Sequence, residues 1–312
     1  MNIGLRSRTI VLRALAIVIS VALLWWLVAD ARWQGVGARL ARLDVGALVA
    51  VTLLFAMSYA MRGARIHGEF RDEIAGPGRR TYLRILRLTL VHNALVNVLP
   101  FRSGEVAFPV LLSRWFGIGS GRAIVSLLWL RAQDATVVLA LAALVWPGLA
   151  TGWRVLALVL IVGGAVGVPM WARRHRGKPA THSKLSSLRA LLERSTRRNA
   201  AGWWWTVGNW SVKLVAETWL VALALGSGGI TTAALGAIGA ELAAILPIQG
   251  VAGFGTFEAG GAALMRIQGI EMATGLEAVL VLHAVVLALA LTAGALAAVF
   301  LPGPPVEPEH PT

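Results

Sequence analysis

Nine ionisable side chains of the 312-residue chain fall within or beside apolar stretches: Arg102, Glu105, Arg131, Asp134, Lys213, Glu217, Glu241, Glu258 and His283. At the centre of a membrane-spanning helix such a group costs about 2.5–3.5 kcal/mol, so each needs a partner or a task. Guanidinium groups offer paired N–H donors to a phosphate, and carboxylates beside them can balance or gate that attraction. Arg131 and Asp134 are three residues apart, Lys213 and Glu217 four, so each pair shares a helix face, and mutual neutralisation that locks a bundle is their structural reading. There is no cysteine, hence no disulfide, thiolate metal site or cysteine nucleophile. His67, His175, His182 and His310 fall in polar segments, only His92 and His283 in apolar ones, and neither HExxH nor GxSxG occurs. With no nucleophile and base legible together, the chain is expected not to be an enzyme and to use no metal or cofactor.

The elements that must carry these residues are membrane helices. Hydrophobic residues make up 57%, charged residues only 14%, and the mean hydropathy is +0.71, too apolar for one water-soluble core. The net charge of +14 would point to nucleic acid in a soluble protein, but the arginines cluster between apolar runs, as in loops that face anionic lipid headgroups. Six segments suit spanning helices: Thr9 to Ala29, Val45 to Met61, Ala123 to Trp146, Trp153 to Trp171, Trp203 to Leu225 and Leu276 to Phe300. Tryptophans such as Trp146, Trp153 and Trp171 sit at their ends, as interfacial anchors do. Arg6, Arg8 and Arg13 precede the first run and Ala29-Asp30-Ala31 resembles a signal-peptidase site; the length of the run favours a retained helix.

Two further apolar regions are broken by proline, glycine and charge. In Leu88 to Arg114, 14 uncharged residues separate Arg87 from Arg102 and 8 separate Glu105 from Arg114. As helices these arms reach about 21 Å and about 12 Å, short of a bilayer core of about 30 Å. Ile230 to Ile267 is built alike around Pro247. Both are expected to be re-entrant hairpins whose tips are buried in protein or face a water-filled cavity. Arg62 to Arg87 holds seven arginines, and Arg173 to Arg198 holds seven plus Lys178 and Lys184, so these loops and both termini are expected on the cytoplasmic side. The first hairpin then enters from the cytoplasm and the second from the opposite face.

The hairpins share punctuation. LPFRSGE, Leu99 to Glu105, parallels LPIQGVAGFGTFE, Leu246 to Glu258; Gly117-Ile118 and Gly269-Ile270 follow the glutamates by 12 and 11 residues, and Arg131 and His283 each lie 14 beyond those glycines. Opposite topology with shared spacing is the mark of an inverted repeat, here about 84–146 and 230–301 around a basic loop at 172–200, an architecture that transporters use. NVLPFRSGE (Asn97 to Glu105), Leu130-Arg131, Asp134 and the second motif resemble the lysylphosphatidylglycerol synthase transmembrane-region family of flippase-like proteins, over about residues 10–300. This chain departs from the family pattern with Phe257 before Glu258 and His283 where an arginine is common. The resemblance implies translocation of a polar lipid. The chain ends at Thr312, so no soluble synthase domain, and no aminoacylation of phosphatidylglycerol, is expected.

The expected protein is thus an all-α polytopic membrane protein in the cytoplasmic membrane, one integral domain of about six spanning helices plus two re-entrant hairpins. Its partners are a membrane lipid as substrate and anionic headgroups at the basic loops, with no nucleic acid. The expected substrate pathway comprises Asn97, Arg102, Glu105, Arg131, Asp134, Gly253, Gly255, Glu258 and His283. Arg102 and Arg131 would attract a headgroup phosphate while Glu105 and Glu258, approaching one another, balance or gate them. Asn93 either lines the same cavity or bonds between helices, and His283 either titrates near neutral pH to couple transport to protons or serves structure. The alternatives are a membrane enzyme acting on a lipid-linked substrate and an assembly factor. The topology has a direct check: a cysteine placed at Ser187 should not react with an impermeant thiol reagent added outside intact cells, and labelling from outside would invert the arrangement.

Overall fold

The computed structural model describes residues 33–74, 78–174, 184–196, 199–226, 229–245 and 251–303, with the backbone alone at 33–35, 100–102, 184–186, 199 and 251. The expected first span, the second motif at 246–250 and the side chain of Arg102 lie outside the described residues. Among those residues every regular element is helical. The chain divides into two compact units, residues 1–43 and 44–312. The first contributes α1 (Trp33–Ala41), with Val36 and Leu43 buried.

The second unit begins where the Asp44 carboxylate accepts the Ala47 N–H at 2.8 Å and caps α2 (Val45–Glu69). It continues through α3 (Arg79–Val98), a 3₁₀ turn (Pro100–Val106), α4 (Ala107–Phe116), α5 (Ser120–Val145), α6 (Thr151–Arg173), α7 (Lys184–Thr196), α8 (Asn199–Leu225), α9 (Ile230–Ile245), a short 3₁₀ turn (Val251–Gly253), α10 (Thr256–Arg266) and α11 (Met272–Phe300). Four of these, α2, α5, α6 and α11, are long and apolar enough to cross a membrane, and α8 with α9, bent by 117°, adds a fifth crossing if taken as one span. The protein is a multi-pass membrane protein. Its most peripheral helix, α6, exposes Trp153, Val155, Val159 and Leu160, a face that suits acyl chains and not water.

Several helix ends fall within four residues of expectation, and two boundaries differ by more. The second span runs eight residues past Met61, because Arg62 and Arg65 continue the helix and turn inward; Arg65 is buried. The expected basic loop from Arg62 shrinks accordingly to the stretch between Glu69 and Arg79. Helix α3 begins at Arg79 and has 20 residues, about 30 Å, so the first arm is longer than its uncharged stretch. Arginines extend it at little cost because one of them has a protein task. Arg87 donates to the Ala298 and Leu301 carbonyls at 2.8 and 2.9 Å, closing the C-terminal end of α11, and lies over the Trp115 ring.

After α3 the chain turns back on itself. His92 packs against Phe108, Ile85 and Leu88 share a cluster with Leu112, and Arg87 meets Trp115, so α4 runs antiparallel to α3. Gly104 makes the return possible, since a Cβ there would collide with the Leu95 carbonyl and the Val96 Cα. The second hairpin, α9 and α10, packs by a different device. Gly236 and Gly239 face Gly261 and Gly260 so closely that a Cβ on Gly260 would stand 2.5 Å from the Ala243 Cβ and 2.5 Å from the Gly239 carbonyl oxygen. Small residues allow such approach in a membrane, where apolar side chains gain little by leaving lipid for one another. Gly260→Val should therefore lose about 1–3 kcal/mol to overpacking. Thermal unfolding in detergent reads this as a lowered midpoint, and an unchanged midpoint would contradict the close approach.

Candidate functional site

Asp134 on α5 is buried with three donors aimed at it. Its Oδ1 accepts Arg65 Nη1 from α2 at 2.6 Å and Trp210 Nε1 from α8 at 2.9 Å, and Arg131 Nη1 approaches Oδ2 at 3.4 Å. Arg65 also donates to the Leu130 carbonyl at 2.5 Å and the Gln133 amide oxygen at 3.0 Å. Arg131, one turn before Asp134, turns its other nitrogen to Glu105 on the first 3₁₀ turn at 2.6 Å, and His92 Nε2 stands 3.4 Å from the second Glu105 oxygen. One chain of ion pairs and hydrogen bonds thus links α2, the hairpin tip, α5 and α8, with His92 of α3 beside its end. The expected pairing of Arg131 with Asp134 is present at 3.4 Å, and a closer partner joins it at 2.6 Å: Arg65, which the sequence places in a loop.

Beside this chain lies a cavity of about 370 Å³. Its charged wall is Arg62, Arg131 and Lys213 against Glu105, Asp134 and Glu241. Each carboxylate has a cation within 2.8 Å, Glu241 through Lys213 Nζ. Arg62 differs: its Nη1 donates to Asn93 Oδ1 at 2.8 Å, and among the described residues no carboxylate lies within ion-pair distance of it. Ser58 and Asn209, bonded to each other at 2.7 Å, add neutral polar groups to the wall. The arrangement can receive an anion that accepts hydrogen bonds from a guanidinium.

Of the residues expected on the pathway, Asn97, Glu105, Arg131, Asp134, Gly253 and His283 line this one cavity. Asn97 spends its Nδ2 on the Asn93 carbonyl at 2.7 Å. Glu258 lies one layer behind the wall: its Oε1 meets His283 Nδ1 at 2.6 Å and its Oε2 accepts the Gly255 N–H at 2.7 Å, closing the start of α10. Gly255 is exposed, at φ 88°, and with Gly253 at φ 83° bends the chain where a side chain would strain it. The His283 ring is stacked on Phe254, 4.3 Å between centroids. Lys213 is nearer Glu241 than Glu217, at 2.8 against 3.4 Å, so spacing along one helix missed its closer partner.

Sequence reasoning also missed Arg62 and Arg65, although Ser58, Arg62 and Arg65 recur at the spacing of one helix face. A second missed network holds the other end of α5. Buried Arg122 donates to Glu73 at 2.9 Å, to Glu69 and Ser195 at 2.8 Å, and to Ser126, tying α7 to α2 and α5.

The family model described as the lysylphosphatidylglycerol synthase TM region matches residues 13–294. No curated protein matches the chain.

Arg65→Met should leave Asp134 without its short ion pair and cost about 3–5 kcal/mol, the range for breaking a buried pair on one side. Loss of the monodisperse peak in size-exclusion chromatography, or a large fall in thermal midpoint, is the expected result. A variant that purifies and melts like the parent would show that Asp134 does not depend on Arg65.

Proposed function

Because the chain belongs to the lysylphosphatidylglycerol synthase TM-region family, a membrane family of lipid-related function, we propose that it moves an anionic, phosphate-bearing lipid across the cytoplasmic membrane. Arg62 carries this reading. Partly buried on a cavity wall, it has no carboxylate within ion-pair distance among the described residues; such a guanidinium is costly, and a bound anion offsets that cost. A headgroup phosphate accepts from Arg62 and from the Asn93 side of the cavity, while its acyl chains stay in lipid. Arg131, the more exposed end of the ionic chain, is the second donor; a phosphate there competes with Glu105 for the same nitrogens. Exchange of Arg131 between Glu105 and phosphate is a gate made of one side chain, and the hairpins, read as inverted repeats, bring their tips to it from opposite faces.

In this reading the basic loops and termini are cytoplasmic, and Arg189 and Arg194 on α7 face anionic headgroups. The reaction is translocation alone, with no bond made or broken.

Purified protein in phosphatidylcholine vesicles carrying tail-labelled phosphatidylglycerol tests both points. Chemical bleaching of the outer leaflet should reveal protein-dependent exchange, and Arg62→Gln should slow it about tenfold or more, as loss of a charge-assisted hydrogen bond of about 1.5 kcal/mol or more requires. A folded Arg62→Gln protein that exchanges the lipid at the parental rate would remove the site. Mass analysis of the same vesicles should find no new lipid species, and finding one would favour a membrane enzyme instead.

A further inference from the structure

Glu217, near the middle of α8, is fully buried and is not part of the cavity wall. Neither of its oxygens accepts a hydrogen bond from a described residue. Its nearest cation, Lys213 one turn earlier, is 3.4 Å away and sits closer to Glu241 of α9, at 2.8 Å. Two carboxylates therefore share one ammonium, which leaves one negative charge uncompensated in a medium that penalises it heavily. Glu241 is also within hydrogen-bonding reach of Glu217. Between two carboxylates that contact is a repulsion; with a proton on one of them it becomes a hydrogen bond.

We propose that Glu217 is a proton-binding site, reached from the cavity through Glu241, and that its loading is linked to binding of the anionic headgroup proposed above. The step is simple: the Glu217 carboxylate takes up one proton and becomes the neutral acid, Lys213 stays an ammonium paired with Glu241, and no other bond changes. A metal cation fits less well, because the ammonium already occupies the space between the two carboxylates.

The surrounding charges agree. From α2, Tyr59 lies within electrostatic reach of Glu217 and Lys213, and Arg62 within reach of Lys213. From α5 and α11, which also pack on α8, Asp134 is committed to Arg65, Trp210 and Arg131, and His283 to Glu258. Among the described side chains, with the Glu258–His283 pair set apart, Arg62, Arg65, Arg131 and Lys213 carry four positive charges and Glu105, Asp134, Glu217 and Glu241 four negative ones. Neutralising Glu217 leaves one positive charge in excess, the complement of a single phosphodiester. Proton and anion then favour each other's binding, and the coupling is reciprocal.

This linkage rests on the translocase reading, but the proton site can be tested apart from it. Infrared difference spectra of the full chain in vesicles, recorded as pH is raised, should show a protonated carboxylic acid that disappears on alkalinisation. That band should be missing from Glu217→Gln and keep a shifted midpoint in Glu217→Asp. Persistence of the band in Glu217→Gln, or its loss only in Glu241→Gln, overturns the assignment to Glu217. In the labelled-phosphatidylglycerol assay, a pH gradient should change the parental exchange rate, and the ratio of rates with and without the gradient should fall to one in Glu217→Gln. An unchanged ratio in that variant overturns the coupling. Should no preparation move labelled lipid, the translocase reading fails while the infrared titration still decides the proton site.

Discussion

A carboxylate enclosed by helices in a membrane is costly unless cations and hydrogen-bond donors compensate it, and Asp134 is where this fold meets that demand. Arg65, Trp210 and Arg131 converge on it from α2, α8 and its own helix. The contacts from Arg65 and Trp210 form only when α2 and α8 lie beside α5, so they act as a registration device for the bundle. The dependence extends outward. Arg131 is held by Asp134 and in turn holds Glu105, which fixes the tip of the first hairpin against α5. The cavity occupies what remains between these anchored parts.

The two hairpins reach that cavity by unlike packing. The first is filled with bulky groups, Phe70, Phe108, Leu112 and the His92 ring, and needs a glycine only at Gly104, where the 3₁₀ turn presses on α3. The second brings backbone onto backbone through facing glycines, so α9 and α10 lie close with few side chains between them. Shape, not shared side chains, is what they have in common: a longer helix, a break and a shorter helix, with Glu105 from one break and Gly253 from the other on one wall.

The motifs that were legible in the sequence are those in which charge, proline and glycine coincide. LPFRSGE marked the first break, Gly253 belonged to a glycine-rich bend, and Asn97, Glu105, Arg131, Asp134 and His283 stood out as polar groups in apolar surroundings. Pairing between helices left no such trace. The spacing of Lys213 and Glu217 was visible, but Glu241 lies 28 positions from Lys213 and meets it only because α9 folds against α8. Arg62 and Arg65 were hidden for a second reason. Arginine after an apolar run reads as the start of a loop, yet a long side chain one or two turns from the helix end can point inward when a carboxylate waits there. The same property lengthened α3, where Arg87 spans to the end of α11.

The disposition of charge on the wall also bears on which headgroups the cavity would favour. A zwitterionic headgroup brings an ammonium with its phosphate, and that ammonium needs a carboxylate. Glu105, Asp134 and Glu241 are each engaged at 2.8 Å or less by Arg131, Arg65 and Lys213. Seating an ammonium therefore means breaking an existing ion pair and leaving its original cation without a carboxylate. A phosphate on Arg62 breaks no ion pair among the described residues, since Arg62 donates to the Asn93 amide, and one that reaches Arg131 exchanges with Glu105 alone. On the translocase reading the site discriminates by what is left unpaired among the described residues: Arg62 has no carboxylate within ion-pair distance and each wall carboxylate has a cation, so net anionic lipids are preferred over zwitterionic ones without any group dedicated to rejecting the latter.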